Sequence, residues 1–118
     1  MLPIKIAQAC AAAALDKKAE NVLILDVSKL TSFADYFVIC SAPSERQAQA
    51  IAHHVRSELK ENGAPVLGTE GLEEGSWVLV DFGDVIFHSF LDSSRDRYNL
   101  EGFWADAKSI DISAQQSA

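Results

Sequence analysis

Two short stretches of the sequence consist almost entirely of apolar residues, and they constrain the fold more than any other feature. They run from Val22 to Val27 and from Tyr36 to Cys40. A strand with apolar side chains on both of its faces is typical of the covered centre of a sheet. The two runs therefore predict central strands in a layered α/β fold, because an uncovered sheet would leave such strands in water.

The sequence also predicts two helices that can cover the sheet. Residues 3–18 are rich in alanine, and Pro3 suits a first helical turn. A second helix begins after Ser44, which forms a capping box with Gln47, and it ends before Gly63. The apolar residues of this second helix recur on one face: Ala48, Ile51, Ala52, Val55 and Leu59. We expect that face to pack against the sheet.

The second half of the chain predicts antiparallel strands. Trp77–Asp81 and Val85–Leu91 are separated by only three residues, which indicates a hairpin. A short strand at Val66–Gly68 would complete a crossover after the second helix, so we expect part of the sheet to be parallel, with a parallel start before the antiparallel strands. The sequence thus predicts one α/β domain over residues 1–106, with a mixed sheet of about five strands and flanking helices. Residues 107–118 are small and polar and are expected to form a flexible C-terminal tail.

Length and composition favour an ordinary globular protein. The chain has 118 residues, of which 48% are hydrophobic, and this is typical of one soluble domain. We identify no signal peptide and no apolar run long enough to cross a membrane, so we expect a cytoplasmic protein. Cys10 and Cys40 have no CxxC partner, and we expect both to be reduced thiols in the core.

The negative charge is concentrated in the second half of the chain. Residues 70–118 contain ten acidic and three basic side chains, whereas residues 1–69 contain seven of each. Carboxylates repel a phosphate backbone, so this distribution argues against direct nucleic-acid binding. A negative surface in the half that carries both tryptophans is instead suited to a basic protein partner.

The sequence offers no convincing catalytic, cofactor or metal site. A metal-dependent nucleotidyltransferase needs two carboxylates at i, i+2 on one strand face, whereas Asp81 and Asp84 are three apart across the hairpin turn. The simpler interpretation is that Asp84, beside Gly83, serves the turn and that Asp81 is a carboxylate at the end of a strand. His53 and His54 fall on the polar side of a helix and are expected to be solvated. His88 lies between apolar strand residues, which is more typical of a buried histidine than of a ligand.

Large aromatic residues are the best candidates for a binding surface. Trp77 alternates with Val78 and Val80, whose side of the strand can pack on a helix, so we expect Trp77 on the other side. Tyr98 and Trp104 follow in the segment after the hairpin. Such residues are enriched at interface hot spots, although core packing is an equal alternative for each. An apolar strand face of this kind could also pair with a second copy of the chain and form a homodimer.

Four separated blocks resemble the ribosomal silencing factor family, also called the iojap family. They are ALDKKAENVLILDVS, TSFADYFVICSAPSERQAQAIAHHV, WVLVDFGDVIFHSF, and the pattern R-x-x-Y-x-L-E-x-x-W from Arg95 to Trp104. The resemblance implies a nucleotidyltransferase-like topology without the catalytic motif, and a protein that is not an enzyme. It implies binding to ribosomal protein L-fourteen of the large ribosomal subunit, which prevents the small subunit from joining. Translation would then be repressed on starvation or in stationary phase.

The resemblance also implies which residues meet the partner. Trp77, Tyr98 and Leu100 would form the apolar centre of the contact. The acidic residues that would face basic side chains of the partner are Glu70, Asp81, Asp84 and Glu101. His88 and Arg95 match the family pattern and are candidates for structural support. Two alternatives stay open: an assembly factor for the large subunit, as organellar relatives imply, and an enzyme of the nucleotidyltransferase type.

Overall fold

The chain folds into a mixed six-stranded sheet whose two long helices pack on the same face. The computed structural model describes residues 1–110 and residue 112. The helices are α1 (Pro3–Asp16), α2 (Glu45–Glu61), α3 (Asp92–Tyr98) and α4 (Leu100–Phe103). The strands are β1 (Glu20–Asp26), β2 (Tyr36–Ala42), β3 (Gly68–Glu70), β4 (Trp77–Asp81), β5 (Val85–Leu91) and β6 (Lys108–Ile110). The mixed α/β prediction is confirmed, with six strands in place of about five.

The strand order is β3-β4-β5-β2-β1-β6, and among the described strands only β2 and β5 are parallel neighbours. The hairpin prediction is confirmed, because β4 and β5 pair antiparallel. The expectation that part of the sheet is parallel is confirmed by β2 and β5, but the chain does not start with a parallel pair, since β1 and β2 also pair antiparallel. Their connection is too short to carry the chain back for a parallel pair. The crossover through α2 does return β3 in the direction of β2, but β5 and β4 lie between these two strands.

The first core lies between the sheet and the two long helices. The five apolar residues predicted for one face of α2 are all buried there, together with Val78 and Val80 of β4. The Ser44 hydroxyl accepts a hydrogen bond from the Gln47 backbone N–H at 3.1 Å, which confirms the predicted cap. Gly63 follows the helix with a φ of +88°, as expected of a residue that ends a helix in the left-handed region.

The prediction of a flexible tail from residue 107 onward is wrong for its first part. Lys108–Ile110 forms β6 and pairs antiparallel with β1, with Ile110 opposite Ile24. Ile110 and Ile112 alternate in the sequence, and both pack against the first core. Their period of two is the strand signal, but it is too short to stand out among polar residues. Residue 111 and residues 113–118 of the predicted tail lie outside the described part of the chain.

The two apolar runs form strands whose side chains reach both faces of the sheet. In β1, Ile24 belongs to the first core, while Leu25 faces a second core on the other side. Cys10 and Cys40 are buried free thiols, as predicted. Burial raises the pKa of the Cys40 thiol to about 12 and also raises that of Cys10, so both thiols stay protonated. Within the described residues, no helix is long and apolar enough to cross a membrane.

Candidate protein-binding surface

The sheet face opposite α1 and α2 is only partly covered. Its core includes Phe37, Ile39 and Phe90, and the C-terminal segment adds Leu100 and Trp104 as half-buried neighbours. Several large apolar side chains close to this core stay in water: Phe33 is 62% exposed, Tyr98 51% and Phe103 79%. Exposed apolar side chains that gather on one face are typical of a binding surface.

Trp77 is held in a fixed orientation at this face. Its ring stacks on Phe90 with 4.9 Å between ring centroids, and Tyr98 lies 4.8 Å from it on the solvent side. The indole Nε1–H donates a hydrogen bond to Nδ1 of His88 at 3.1 Å. A half-buried aromatic ring that is already ordered loses little conformational entropy when a partner binds. Trp77 therefore has the properties of an interface anchor.

His88 is buried beneath Trp77, with only 4% of its surface exposed. Burial lowers the pKa of its imidazole to about 3, so the ring is neutral at physiological pH. Because Nδ1 accepts the hydrogen bond from Trp77, the single ring proton is assigned to Nε2. Nε2 is buried and has no hydrogen-bond partner among the described residues. His88 was predicted to be a buried histidine, and the structure confirms this.

A depression of about 310 Å³ lies beside Trp77, and we call it the apolar groove. Its apolar lining comes from Phe33, Phe37, Leu79, Ile86, Leu100 and Trp104. Its polar lining comes from Glu70, Asp81 and His88. Trp104 closes one side, because its ring packs edge-on against Phe37 at 5.3 Å. The groove thus combines aromatic walls with two carboxylates and a buried ring nitrogen, and it offers room for one or two side chains of a partner.

The structure brings most of the candidate contact residues together. Trp77 and Tyr98 touch, and Leu100, Glu70 and Asp81 line the apolar groove. Asp84 is apart from them, exposed in the turn between β4 and β5. Its backbone carbonyl accepts hydrogen bonds from the amides of Asp35 and Tyr36, so this turn is tied to the start of β2.

Glu101 is engaged within the chain. Its carboxylate accepts a hydrogen bond from Arg95 Nε at 3.1 Å. The same guanidinium donates through Nη1 to the carbonyl of Asn21 at 2.6 Å and to the Ser41 hydroxyl at 3.2 Å. Arg95 therefore fastens α3 and α4 to β1 and β2, and Glu101 holds Arg95 in position. Any contact of Glu101 with a partner would share its carboxylate with Arg95.

The carboxylate of Asp81 takes part in the hairpin turn. Its Oδ1 accepts the backbone N–H of Gly83 at 2.8 Å, and Gly83 has a φ of +90° that favours glycine. The sequence assigned the turn role to Asp84 and only a strand-end position to Asp81, whereas the structure shows the Asp81 carboxylate bonded into the turn. Within the described residues, the one group of three potential metal ligands lies elsewhere and comprises Asp16, His54 and Glu58. The sequence analysis missed this group, although His54 and Glu58 have the i, i+4 spacing of one helix face.

Two further aromatic residues of this face were missed as contact candidates. Phe33 lies in the loop between β1 and β2, which the sequence indicates only as polar and turn-like. Phe103 ends α4, where the resemblance supplies no motif position. A phenylalanine inside a polar loop is itself a signal, because an isolated ring there gains nothing from local structure. Phe33 packs against Trp104 at 6.2 Å, and Phe103 packs against the same ring at 5.4 Å.

Comparison with known proteins identifies the family. The family model described as "Ribosomal silencing factor during starvation" matches residues 3–118. The ribosomal silencing factor RsfS of Bacillus subtilis is 46% identical over 107 residues, which cover 91% of each chain. A crystal structure of a Chromobacterium violaceum protein superposes with a TM-score of 0.87 at 40% identity, and the match covers 89% of this chain and 88% of that one.

A more distant relative has a name that refers to assembly. The mouse protein called "Mitochondrial assembly of ribosomal large subunit protein 1" is 31% identical over 105 residues, which cover 86% of this chain and 46% of the mouse protein. Its name and that of the Bacillus subtilis relative both refer to the ribosome. The chain belongs to the ribosomal silencing factor family.

Proposed function

We propose that this protein binds the large ribosomal subunit through ribosomal protein L-fourteen and thereby prevents the small subunit from joining. It would act in the cytoplasm and repress translation during starvation. The observation that carries the proposal is the apolar groove beside Trp77, on the one sheet face that the long helices leave open. Family membership supports a ribosomal target, and the family description supports a role in starvation.

The chemistry of the surface suits a basic protein partner. Glu70 and Asp81 line the groove, so a lysine or arginine of the partner can keep its charge near carboxylates while its aliphatic part contacts Leu79 or Leu100. The excess of acidic residues after residue 69 adds an attractive field at longer range. Most of the affinity would come from burial of the aromatic side chains, while the charges would speed and orient the encounter.

The proposed action is steric and requires no reaction. A protein bound where the two subunits meet blocks their association by occupying space, without a nucleophile, a general base or a cofactor. The Asp81 carboxylate is used by the hairpin turn, and this favours a binding role for the region over nucleotidyl transfer. We therefore propose that the protein is not an enzyme.

Co-sedimentation with purified large subunits tests the proposal. We expect the original chain to sediment with large subunits and to reduce the yield of joined ribosomes when small subunits are added. Trp77→Ala and Tyr98→Ala should each weaken binding by at least about tenfold, as expected for interface hot spots. Leu2→Ala is the matched control, because Leu2 is a 66% exposed apolar residue that precedes α1 and lies outside the apolar groove.

The outcomes separate the function from the surface. If the original chain fails to bind large subunits, the proposed function is wrong. If it binds and the folded Trp77→Ala and Tyr98→Ala chains bind equally well, the function stands and the proposed surface is wrong. Circular dichroism of each variant confirms that the comparison is made between folded chains.

A role in assembly of the large subunit is the second candidate, and the name of the mouse relative favours it. The same surface would serve both roles, so binding assays do not separate them. Deletion of the gene should cause precursors of the large subunit to accumulate if assembly is the main role. Normal subunit profiles during growth, with excess joined ribosomes on starvation, would favour silencing.

Self-association through the same face is a related proposal. A homodimer that buries Trp77 and Phe33 would compete with ribosome binding. Sedimentation velocity over a range of concentrations measures it, and Trp77→Ala should shift the distribution toward monomer. If the chain stays monomeric at the highest concentration tested, it does not form a homodimer within that range of concentrations.

A further inference from the structure

A second cluster of functional side chains lies at the junction of α1 and α2, on the other face of the sheet. Asp16 is the last residue of α1, and His54 and Glu58 are one turn apart on α2. The Nε2 atom of His54 lies 3.7 Å from Asp16 Oδ2 and 3.7 Å from Glu58 Oε1. Of the two histidines expected to be solvated, His53 is exposed, whereas His54 is half-buried, with 24% of its side chain exposed.

The His54 ring nitrogen has polar neighbours but no hydrogen bond. A separation of 3.7 Å is too long for an N–H···O bond. Nε2 is shielded from solvent and has no partner among the described residues. An unpaired buried nitrogen costs free energy unless something satisfies it. A cation placed between the ring and the two carboxylates would supply that partner.

The spacing of the three atoms fits a small divalent cation. The ligand atoms all lie within 4.8 Å of one another. With Nε2 at 3.7 Å from each oxygen, the point equidistant from all three lies no more than about 2.4 Å from each. Zinc bonds to nitrogen and oxygen are about 2.0–2.2 Å. The side chains of Asp16 and Glu58 are 67% and 41% exposed, so small rotations can close the difference.

The ligand types favour a first-row transition ion. One imidazole and two carboxylates suit Zn²⁺, whereas Mg²⁺ and Ca²⁺ favour oxygen ligands alone. Two carboxylates balance the charge of a dication. The Lys17 ammonium, next to Asp16 in the sequence, opposes a cation at this position, so the site depends on both carboxylates.

We propose that Asp16, His54 and Glu58 form a binding site for a divalent transition metal ion, for which zinc is the probe. The ion would link the end of α1 to the middle of α2. A link between two elements that are far apart in the sequence stabilises the fold, since the metal binds the folded chain better than the unfolded one. The site lies on the face opposite the apolar groove and shares no residue with its lining.

Titration of Zn²⁺ into the untagged, metal-stripped chain tests the site. We expect one ion to bind per chain and the melting temperature to rise with zinc concentration. His54→Gln and Glu58→Gln should each lower the zinc affinity by more than about tenfold. Loss of a residue that only supports a metal ligand already costs about tenfold or more, and loss of a ligand should cost at least as much. His53→Gln is the matched control, because His53 is the exposed neighbour of His54 and is not one of the three ligands.

Nuclear magnetic resonance of the imidazole groups gives a readout that needs no variant. Zinc should shift the ring resonances of His54 and leave those of His88 unchanged. Cys10 and Cys40 are buried in the folded chain and should not compete for the ion. Failure of the original chain to bind zinc would overturn the site. Equal zinc binding by His54→Gln, or loss of binding in His53→Gln instead, would overturn the assigned ligands.

Discussion

Acid should destabilise the fold through His88, and the effect can be worked out from its burial. The pKa of the buried imidazole falls from its ordinary value of 6.5 to about 3 in the folded chain. Below pH 6.5 the unfolded chain therefore binds a proton at this residue, while the folded chain binds none until about pH 3. Proton uptake favours the unfolded state throughout that window, so stability falls as the pH falls. Between pH 7.5 and pH 5.5 the loss from His88 is roughly 1.4 kcal/mol.

Urea unfolding of the original chain and of His88→Asn at both pH values measures this loss. The Asn side chain can place an acceptor near the position of Nδ1 and keep a bond to the Trp77 indole, but it does not titrate. Other groups titrate in both chains, so the difference between the two pH dependences isolates His88. Urea is preferred as the denaturant because it leaves the ionic strength unchanged. At pH 5.5 the chain is still above its pI of about 4.8, so it keeps a net negative charge at both pH values.

The expected result is a pH-dependent loss that is larger in the original chain by about 1–2 kcal/mol. The His88→Asn chain starts from a lower stability at pH 7.5, because its smaller side chain leaves space in the second core. Equal pH dependences in the two chains would show that the His88 imidazole gains its proton at about the same pH in the folded and unfolded states. Burial would then not lower its pKa, and the reasoning would fail.

Three further predictions concern packing and charge. Gly71→Ala should lower the free energy of unfolding by about 1–3 kcal/mol, because φ is +77° there and a Cβ would overlap the carbonyl oxygen of Trp77. Gly68→Ala is the control in the same urea assay, because a Cβ at residue 68 meets open space. Leu59→Ala should cost about 2–5 kcal/mol in urea unfolding, since Leu59 is fully buried in the first core. Binding to large subunits should weaken as the salt concentration rises from about 50 to about 200 mM, because added salt shortens the Debye length and screens the attraction between exposed charges. Glu70→Gln should reduce this salt dependence in co-sedimentation.

Local signals in the sequence predicted most of the fold. Three predictions depend on residues that are close together in the sequence, and all three are confirmed. They are the apolar stripe of α2, its cap at Ser44, and the hairpin between β4 and β5. The antiparallel pairing of β1 with β2 and the addition of β6 were not predicted. Both depend on which strand lies beside which, and a sequence pattern of period two contains no information about the neighbouring strand.

The candidate surface was predictable to a similar extent. Strand alternation placed Trp77 on the face away from the helices, and its contact with Tyr98 follows from the C-terminal segment returning to that face. The pairing of Glu101 with Arg95 was not predictable, because the two residues lie on different short helices and meet only when the chain turns at Asn99. The bond from Trp77 to His88 was missed although the hairpin was predicted. The two residues are diagonal neighbours on β4 and β5, and their contact depends on the register of the strands.

The unequal covering of the two sheet faces explains how this small domain can expose aromatic residues and remain folded. On the helix side, the large apolar side chains of the first core are fully buried, so that side supplies most of the hydrophobic stabilisation. On the other side, β4 and β5 are already fixed by that core, and Trp77 is held by Phe90 and His88 with only the half-exposed Tyr98 beside it towards solvent. A partner that seals the apolar groove therefore gains from burying surface that folding left exposed, and it does not need to reorganise the sheet. Substitutions at exposed residues such as Tyr98 should consequently affect binding far more than stability, whereas substitutions in the first core should do the reverse.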